Sequence, residues 1–351
     1  MAVRNPFAIN FGKVPVQYIS RDIIIEEVLQ ELLSEDAQNP CFMLTGTRGS
    51  GKTVTMTSIE KKVAELEEWI IVRLNPDRNL LDGLVAKLYD SREFITKFID
   101  TSVNLSKFGI GINLSKKTPV ADIESALEII LKELKKRKKK VLVTIDEVSN
   151  TPYMREFASS FQIMLREDLP IYLIMAGLYE NIRKLENEKD LTFLYRAPKI
   201  EMEPLNLTRI AERYRDILKV DSEKAMDMAI MTKGYPFAYQ ALGKYLWEDE
   251  KHEMNDQVLL KYDEALNHYV YKKLWSELSR KDKWYMSFIV RKESMETGEL
   301  LELSGQKKNE FSQYRERLRD KGLINTDTHG VVSYKLPRFD VFVRNNYITV
   351  S

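Results

Sequence analysis

Eight residues, Gly46-Thr47-Arg48-Gly49-Ser50-Gly51-Lys52-Thr53, constrain the fold of this 351-residue chain more than any other stretch. They follow a short apolar run, Cys41–Thr45, and lead into a segment of helical character that begins at Lys52. The spacing Gly-x-x-x-x-Gly-Lys-Thr suits a loop that wraps a phosphate group in its own backbone N–H groups. Glycines at 46, 49 and 51 permit the backbone angles and the close approach this demands. The helix that follows aims its positive end at the anion. In that arrangement Lys52 reaches the β- and γ-phosphates and the Thr53 hydroxyl ligates Mg²⁺. Thr47, Arg48, Ser50 and Val54 complete the loop and the first turn after it.

A strand–loop–helix of this kind belongs in an α/β sheet, and the chain up to Glu203 supplies one. Runs rich in β-formers stand at Cys41–Thr45, Trp69–Leu74, Val141–Ile145, Ile171–Ala176 and Lys199–Met202. Most are continuously apolar, as strands buried on both faces are, so a parallel five-stranded sheet is expected. Helical spacing fills the intervals at Lys52–Glu68, Asn79–Asp100, Asp122–Lys139 and Tyr153–Arg166. One stretch breaks the alternation. Phe108-Gly109-Ile110-Gly111-Ile112-Asn113-Leu114, preceded by Val103 and Leu105, has strand periodicity and predicts a hairpin inserted near 101–117, either a packing satellite or a partner contact.

The run Val141–Ile145 ends in Asp146-Glu147. A carboxylate at the tip of the strand adjacent to the phosphate loop can hold the metal, usually through water, which assigns Asp146. Glu147 is then placed to orient and deprotonate an attacking water. The basic run Lys135–Lys140 closes a helix, where cations complement the helix dipole, although it also suits nucleic acid. A guanine-specific Asn-Lys-x-Asp clamp is not formed, since Asn187-Glu188-Lys189-Asp190 has its lysine one position late.

Composition narrows the setting. A net charge of +1 means that any nucleic-acid contact comes from a local patch. The single cysteine, Cys41, excludes an internal disulfide, and three scattered histidines build no zinc site. No apolar run approaches the roughly 18 residues of a membrane-spanning helix. A cytoplasmic protein with no membrane partner is expected.

With these pieces assembled the chain resembles the AAA+ ATPases, in the branch near origin-recognition-type proteins and the related prokaryotic signal-transduction ATPases. The resemblance starts at Tyr18-Ile19-Ser20-Arg21-Asp22, similar to the family's aliphatic-Gly-Arg-acid motif, with Ser20 in place of glycine. It implies that Ile19 lies near adenine, with Arg21 in the same motif. It also implies an arginine finger at the end of the helix before the last strand, where Arg196 stands in Phe193-Leu194-Tyr195-Arg196-Ala197-Pro198. Gly234-Tyr235-Pro236 looks like the Gly-x-Pro motif of signal-transduction ATPases, in which the proline packs near the base. The polar sensor expected after the fourth strand is missing from Ile174-Met175-Ala176-Gly177-Leu178, as is the sensor arginine of the lid. The resemblance therefore implies ATP/ADP with Mg²⁺, slow hydrolysis, and an ATP-dependent homo-oligomer or a protein partner.

The domains expected are a nucleotide-binding α/β domain over 1–203, a helical lid over 204–270 and a winged helix over 271–351. In the lid, Leu207–Leu218, Ser222–Lys233 and Pro236–Glu250 have amphipathic spacing. The last unit reads as helices Asp282–Val290, Thr297–Leu303 and Lys307–Lys321, then a strand over Val331–Leu336. Phe311, Tyr314 and Leu318 form a core stripe on the third helix, while Lys308, Ser312, Arg315 and Arg319 share another face suited to the major groove of double-stranded DNA. The charge excess is modest, 16 basic against 11 acidic side chains over 271–351. A protein-binding winged helix is the other reading.

Overall fold

The computed structural model describes residues 4–9, 15–34, 37–89, 120–189, 191–290, 294–305, 307–326 and 328–347. The hairpin expected near 101–117 lies outside them. The chain divides into two compact units, one of Asp22–Thr45 with Thr55–Glu201, the other of Met1–Arg21, Gly46–Val54 and Met202–Ser351.

The first unit holds five strands: β1 (Cys41–Thr45), β2 (Trp69–Leu74), β3 (Lys140–Ile145), β4 (Ile171–Gly177) and β5 (Lys199–Glu201). All pairings are parallel, in the order β2-β3-β4-β1-β5. Burial follows position. The interior strands β1, β3 and β4 are buried almost throughout, whereas the edge strand β5 is not. That is why the three interior strands read as unbroken apolar runs.

One expectation is corrected here. β3 is not adjacent to β1, because β4 pairs with both and lies between them. With strands about 4.8 Å apart, the end of β3 stands about 10 Å across the sheet from the end of β1. The helices of this unit are α1 (Asp22–Leu33), α2 (Lys52–Ala64), α3 (Leu80–Tyr89), α4 (Val120–Lys136), α5 (Pro152–Arg166), α6 (Tyr179–Glu186) and α7 (Thr192–Arg196). α4 buries Leu127, Ile130, Leu131 and Leu134, the i, i+3, i+4, i+7 stripe its spacing predicts. α5 starts on a Thr151 cap that accepts the Met154 N–H at 3.1 Å, with Pro152 in its first turn. Cys41 is a buried member of this core, and burial pushes its thiol up to about 12.

The second unit begins with α8 (Leu207–Leu218), α9 (Ser222–Met231), α10 (Pro236–Glu248) and α11 (Asp256–Leu266). α11 continues through a π-helical turn at Asn267–Tyr271 into α12 (Lys272–Ser276). Segment 5–9 lies along α10: Asn5 donates to the Lys244 carbonyl at 3.0 Å, and the Gln240 side chain accepts the Ala8 N–H at 3.0 Å. Phe7 packs against Tyr214 and Tyr239, over Gly243, where any added Cβ would come within 2.5 Å of the Phe7 ring. The remainder is α13 (Arg280–Ile289), β6 (Ser294–Glu296), α14 (Thr297–Ser304), α15 (Lys308–Asp320), β7 (Ile324–Asn325), β8 (Val331–Tyr334) and α16 (Phe339–Asn346). Its strands form an antiparallel sheet in the order β6-β8-β7. Asp282 closes a capping box with Ser279 and pairs with Arg317 of α15, Nε at 2.9 Å. Arg338 pairs bidentately with Asp263, tying α16 to α11.

A sharp turn joins α9 to α10. Gly234 has φ +70°, and its carbonyl accepts the Leu205 N–H at 2.8 Å. A Cβ there would lie 2.5 Å from the Leu205 carbonyl oxygen and 2.8 Å from Pro204 Cβ. Left-handed strain and a clash with backbone add, so Gly234→Ala is expected to cost about 2–4 kcal/mol. The check is the urea midpoint, read at unchanged m-value.

Candidate functional site

The loop Gly46–Thr53 leaves β1 and enters α2, as the motif requires. Gly49 and Gly51 have φ of +77° and +93°, angles that few other residues adopt. At Gly46 a Cβ would lie 2.5 Å from Ser50 Oγ and 3.0 Å from Met202 Cβ. All three glycines thus have a physical cause. Lys52 is 9% exposed, and its Nζ donates to the Gly46 and Thr47 carbonyls at 3.0 and 2.8 Å. The Ser50 hydroxyl and Arg48 Nε are buried without a hydrogen-bond partner. Buried unpaired polar atoms are uncommon, and in this loop they fit a polar, anionic ligand. Thr53 is exposed and Val54 half-buried at the start of α2.

The other residues of the expected entrance and lid motifs divide in role. Ile19 is buried in the apolar core around Leu205 and Ile210. Arg21 instead donates through Nη2 to the Ser50 carbonyl at 3.2 Å, a contact on the loop itself. Pro236 opens α10, and its ring lies in ordinary contact range of Gly51, 3.7 Å from a Cβ built there. Sequence reasoning missed its neighbour. The Tyr235 hydroxyl donates to the Arg48 carbonyl, and the Phe237 N–H donates to the Gly49 carbonyl at 3.3 Å. Tyr235 is the middle residue of the Gly-x-Pro pattern, the one signal that could have drawn attention to it.

In the sheet unit, Asp146 follows β3 and is half-buried, and its Oδ1 accepts the Glu147 N–H at 2.8 Å. Glu147 is exposed and holds a φ of +53°, an uncommon conformation for a residue other than glycine. The chain is anchored immediately afterwards, since the buried Val148 donates to the Ala176 carbonyl at 2.9 Å. Thr144, two residues before Asp146 and so on the same side by strand alternation, hydrogen-bonds Glu60 of α2 at 2.5 Å. Glu60 is 2% exposed and also pairs with Arg73 at 2.7 Å. The tip of β4 is apolar, and at Gly177 a Cβ would lie 2.8 Å from Val148 and 3.2 Å from Ile182. A polar sensor has no room at that position.

Arg196 ends α7 with an exposed side chain. The basic run is largely engaged within its own unit: Lys135 with Asp168 at 2.6 Å, Lys136 and Arg137 with Glu133 at 3.2 and 3.3 Å, and Lys140 over the rings of Trp69 and Tyr172. On α15, Phe311 and Leu318 are buried while Lys308, Ser312 and Arg319 are exposed and Arg315 is half-buried. Arg319 already contacts Glu316 and Asp320 at 3.6 and 3.1 Å. Among the described residues no helix is long and apolar enough to cross a membrane.

A parallel sheet whose second-from-edge strand feeds a glycine-rich loop and then a helix is the arrangement of a P-loop NTPase fold. A family described as a domain of unknown function (DUF8462) matches residues 268–343. No curated protein matches the chain. Among solved structures, Cdc6p from Pyrobaculum aerophilum is similar over 96% of this chain and 96% of its own, at 13% identity and TM-score 0.49. The ORC1 protein of Aeropyrum pernix, in complex with DNA, is similar over 92% of this chain and 90% of its own, at 14% identity and TM-score 0.43. A signal transduction ATPase with a tetratricopeptide repeat sensor from Pyrococcus horikoshii covers 95% of this chain with 43% of its own, at 13% identity and TM-score 0.39.

Proposed function

We propose that this protein binds ATP and ADP at Gly46–Thr53 and acts as a slow ATP-hydrolysing switch that engages double-stranded DNA. The observation that carries the reading is the loop itself: a glycine-built turn, a buried lysine and two buried polar atoms without a hydrogen-bond partner. Lys52 would leave its loop carbonyls for the phosphates, while Ile19 and Pro236 would border the base. Thr53 and Asp146 would supply oxygen donors to Mg²⁺, whose charge would offset that of the phosphates. Glu147 would serve as base toward water, and Arg196 would reach the γ-phosphate of a neighbouring subunit in an ATP-dependent homo-oligomer. The domain reading is kept with it: 1–203 for nucleotide, 204–270 as lid and 271–351 as winged helix. Support for the last comes from helices α13, α14 and α15 beside the three-stranded antiparallel sheet β6-β8-β7.

A second reading has its own observation. The apolar tip of β4, closed around Gly177, favours a signal-transduction ATPase that hydrolyses little and turns its winged helix to a protein partner. Duplex DNA decides between them. Affinity of the wild type and of an Arg315→Ala/Arg319→Ala variant is measured across a salt series, with ATP turnover followed with and without DNA. The DNA reading expects a steep salt dependence, with a slope shallower by about 2 in the double variant. Equal, salt-insensitive affinities select the protein-partner reading.

A further inference from the structure

Five consecutive carbonyls of the phosphate loop are held by donors. Lys52 takes those of Gly46 and Thr47 at 3.0 and 2.8 Å, and the latter also accepts the Ser50 N–H at 3.3 Å. The next three are held by residues distant in sequence: Arg48 by the Tyr235 hydroxyl, Gly49 by the Phe237 N–H and Ser50 by the Arg21 guanidinium. A trans peptide is planar, so its C=O and the following N–H point in opposite directions. Fixing the Arg48 carbonyl toward Tyr235 therefore turns the Gly49 N–H the other way. The Ser50 carbonyl, drawn to Arg21, does the same to the Gly51 N–H.

We infer that Tyr235 is a positioning residue for the phosphate loop, its hydroxyl setting the 48–49 peptide so that the Gly49 N–H faces the bound phosphate. The inference rests on the proposed reading of Gly46–Thr53 as a phosphate site. The ring is 6% exposed and rigidly placed: Tyr235 caps α10, its N–H donates to the Thr232 carbonyl at 2.9 Å, and it follows the left-handed pair Lys233-Gly234. Its hydroxyl occupies the space beside Gly49, where a Cβ would come within 2.5 Å of Oη. Burial raises the phenol well above its usual range, against a smaller opposing effect of the Arg48 charge, so the hydroxyl stays a donor at every physiological pH. A tyrosine that only filled the core would need its ring and not its hydroxyl. Tyr235 places that hydroxyl on a loop carbonyl, as Phe237 and Arg21 place their own donors on the next two.

Tyr235→Phe separates these roles, because it keeps the ring and removes the donor. The full chain with Mg²⁺ is titrated with ATP and ADP, adenosine is measured by competition against a fluorescent ADP analogue, and the thermal midpoint is recorded without ligand. ATP and ADP affinities are expected to fall about tenfold, the scale of one hydrogen bond left unmade to a buried carbonyl, with adenosine unchanged. The ratio of ADP to adenosine dissociation constants does not depend on the folded fraction, so it stays decisive even if Y235F is less stable. Affinities for ATP and ADP within twofold of wild type overturn the positioning role, as does an equal loss for adenosine. Wild-type protein that binds neither nucleotide overturns the phosphate-site reading instead, and this inference with it.

Discussion

Lys52→Ala is expected to abolish measurable ATP and ADP binding, lowering affinity by about 100-fold or more. Hydrogen bonds to charged groups contribute about 1.5–3 kcal/mol each, and the ammonium would serve two phosphates. In the structure that ammonium is nearly enclosed and satisfied by two loop carbonyls at 3.0 and 2.8 Å. A side chain already folded into the loop has a short path to the anion and little freedom to lose on binding. The loss is to be read by calorimetric titration and by nucleotide-dependent stabilisation. At 100-fold excess over its dissociation constant a ligand adds about 2.7 kcal/mol to the wild type, and the variant should gain nothing. Without nucleotide the thermal midpoint tests the fold, because the alanine leaves the glycine turn in place. Retained ATP affinity in a folded K52A protein would remove the phosphate site from Gly46–Thr53.

Much of this architecture was legible because it repeats a local pattern. β1, β3 and β4 are sheet interior, and their burial forced the continuous apolar runs Cys41–Thr45, Val141–Ile145 and Ile171–Ala176. The phosphate loop was legible for a different reason: its backbone angles at Gly49 and Gly51 restrict residue choice at fixed spacing. Strand order was not legible. Nothing in Val141–Ile145 records that β4, later in the chain, inserts between it and β1. Also hidden were contacts in which a side chain meets a distant carbonyl, such as Arg21 on Ser50 or Tyr235 on Arg48, because any carbonyl in place will accept them. Phe7 settling over Gly243 was hidden as well, because an apolar ring packs over any small residue in place. The short strands β6 and β7 escaped notice because they carry too few residues to show a period. Asp146 and Glu147 were visible as a pair, but the left-handed turn that separates their side chains was not.

Glu147→Gln is expected to slow ATP turnover by about 10²–10⁴-fold while leaving ATP affinity within about twofold. The backbone supports the role proposed for this residue. Asp146 is half-buried and holds the Glu147 N–H, Val148 is fully buried and tied to Ala176, and the left-handed residue between them is turned out to solvent. That conformation carries a strain of about 1 kcal/mol or more, which the anchors on either side sustain. Glutamine preserves the shape and hydrogen-bonding reach of the side chain and removes only its ability to take a proton. A single-turnover measurement on bound ATP is the suitable assay for the proposed slow hydrolysis, since it needs no release of product. Glu147→Gly gives the complementary test: relief of the left-handed strain should raise stability by up to about 1 kcal/mol, and turnover should fall as it does in E147Q. Unchanged turnover in E147Q would assign the base elsewhere. Activity lost together with ATP affinity would make Glu147 a binding residue, and the switch would then depend on occupancy of the loop alone.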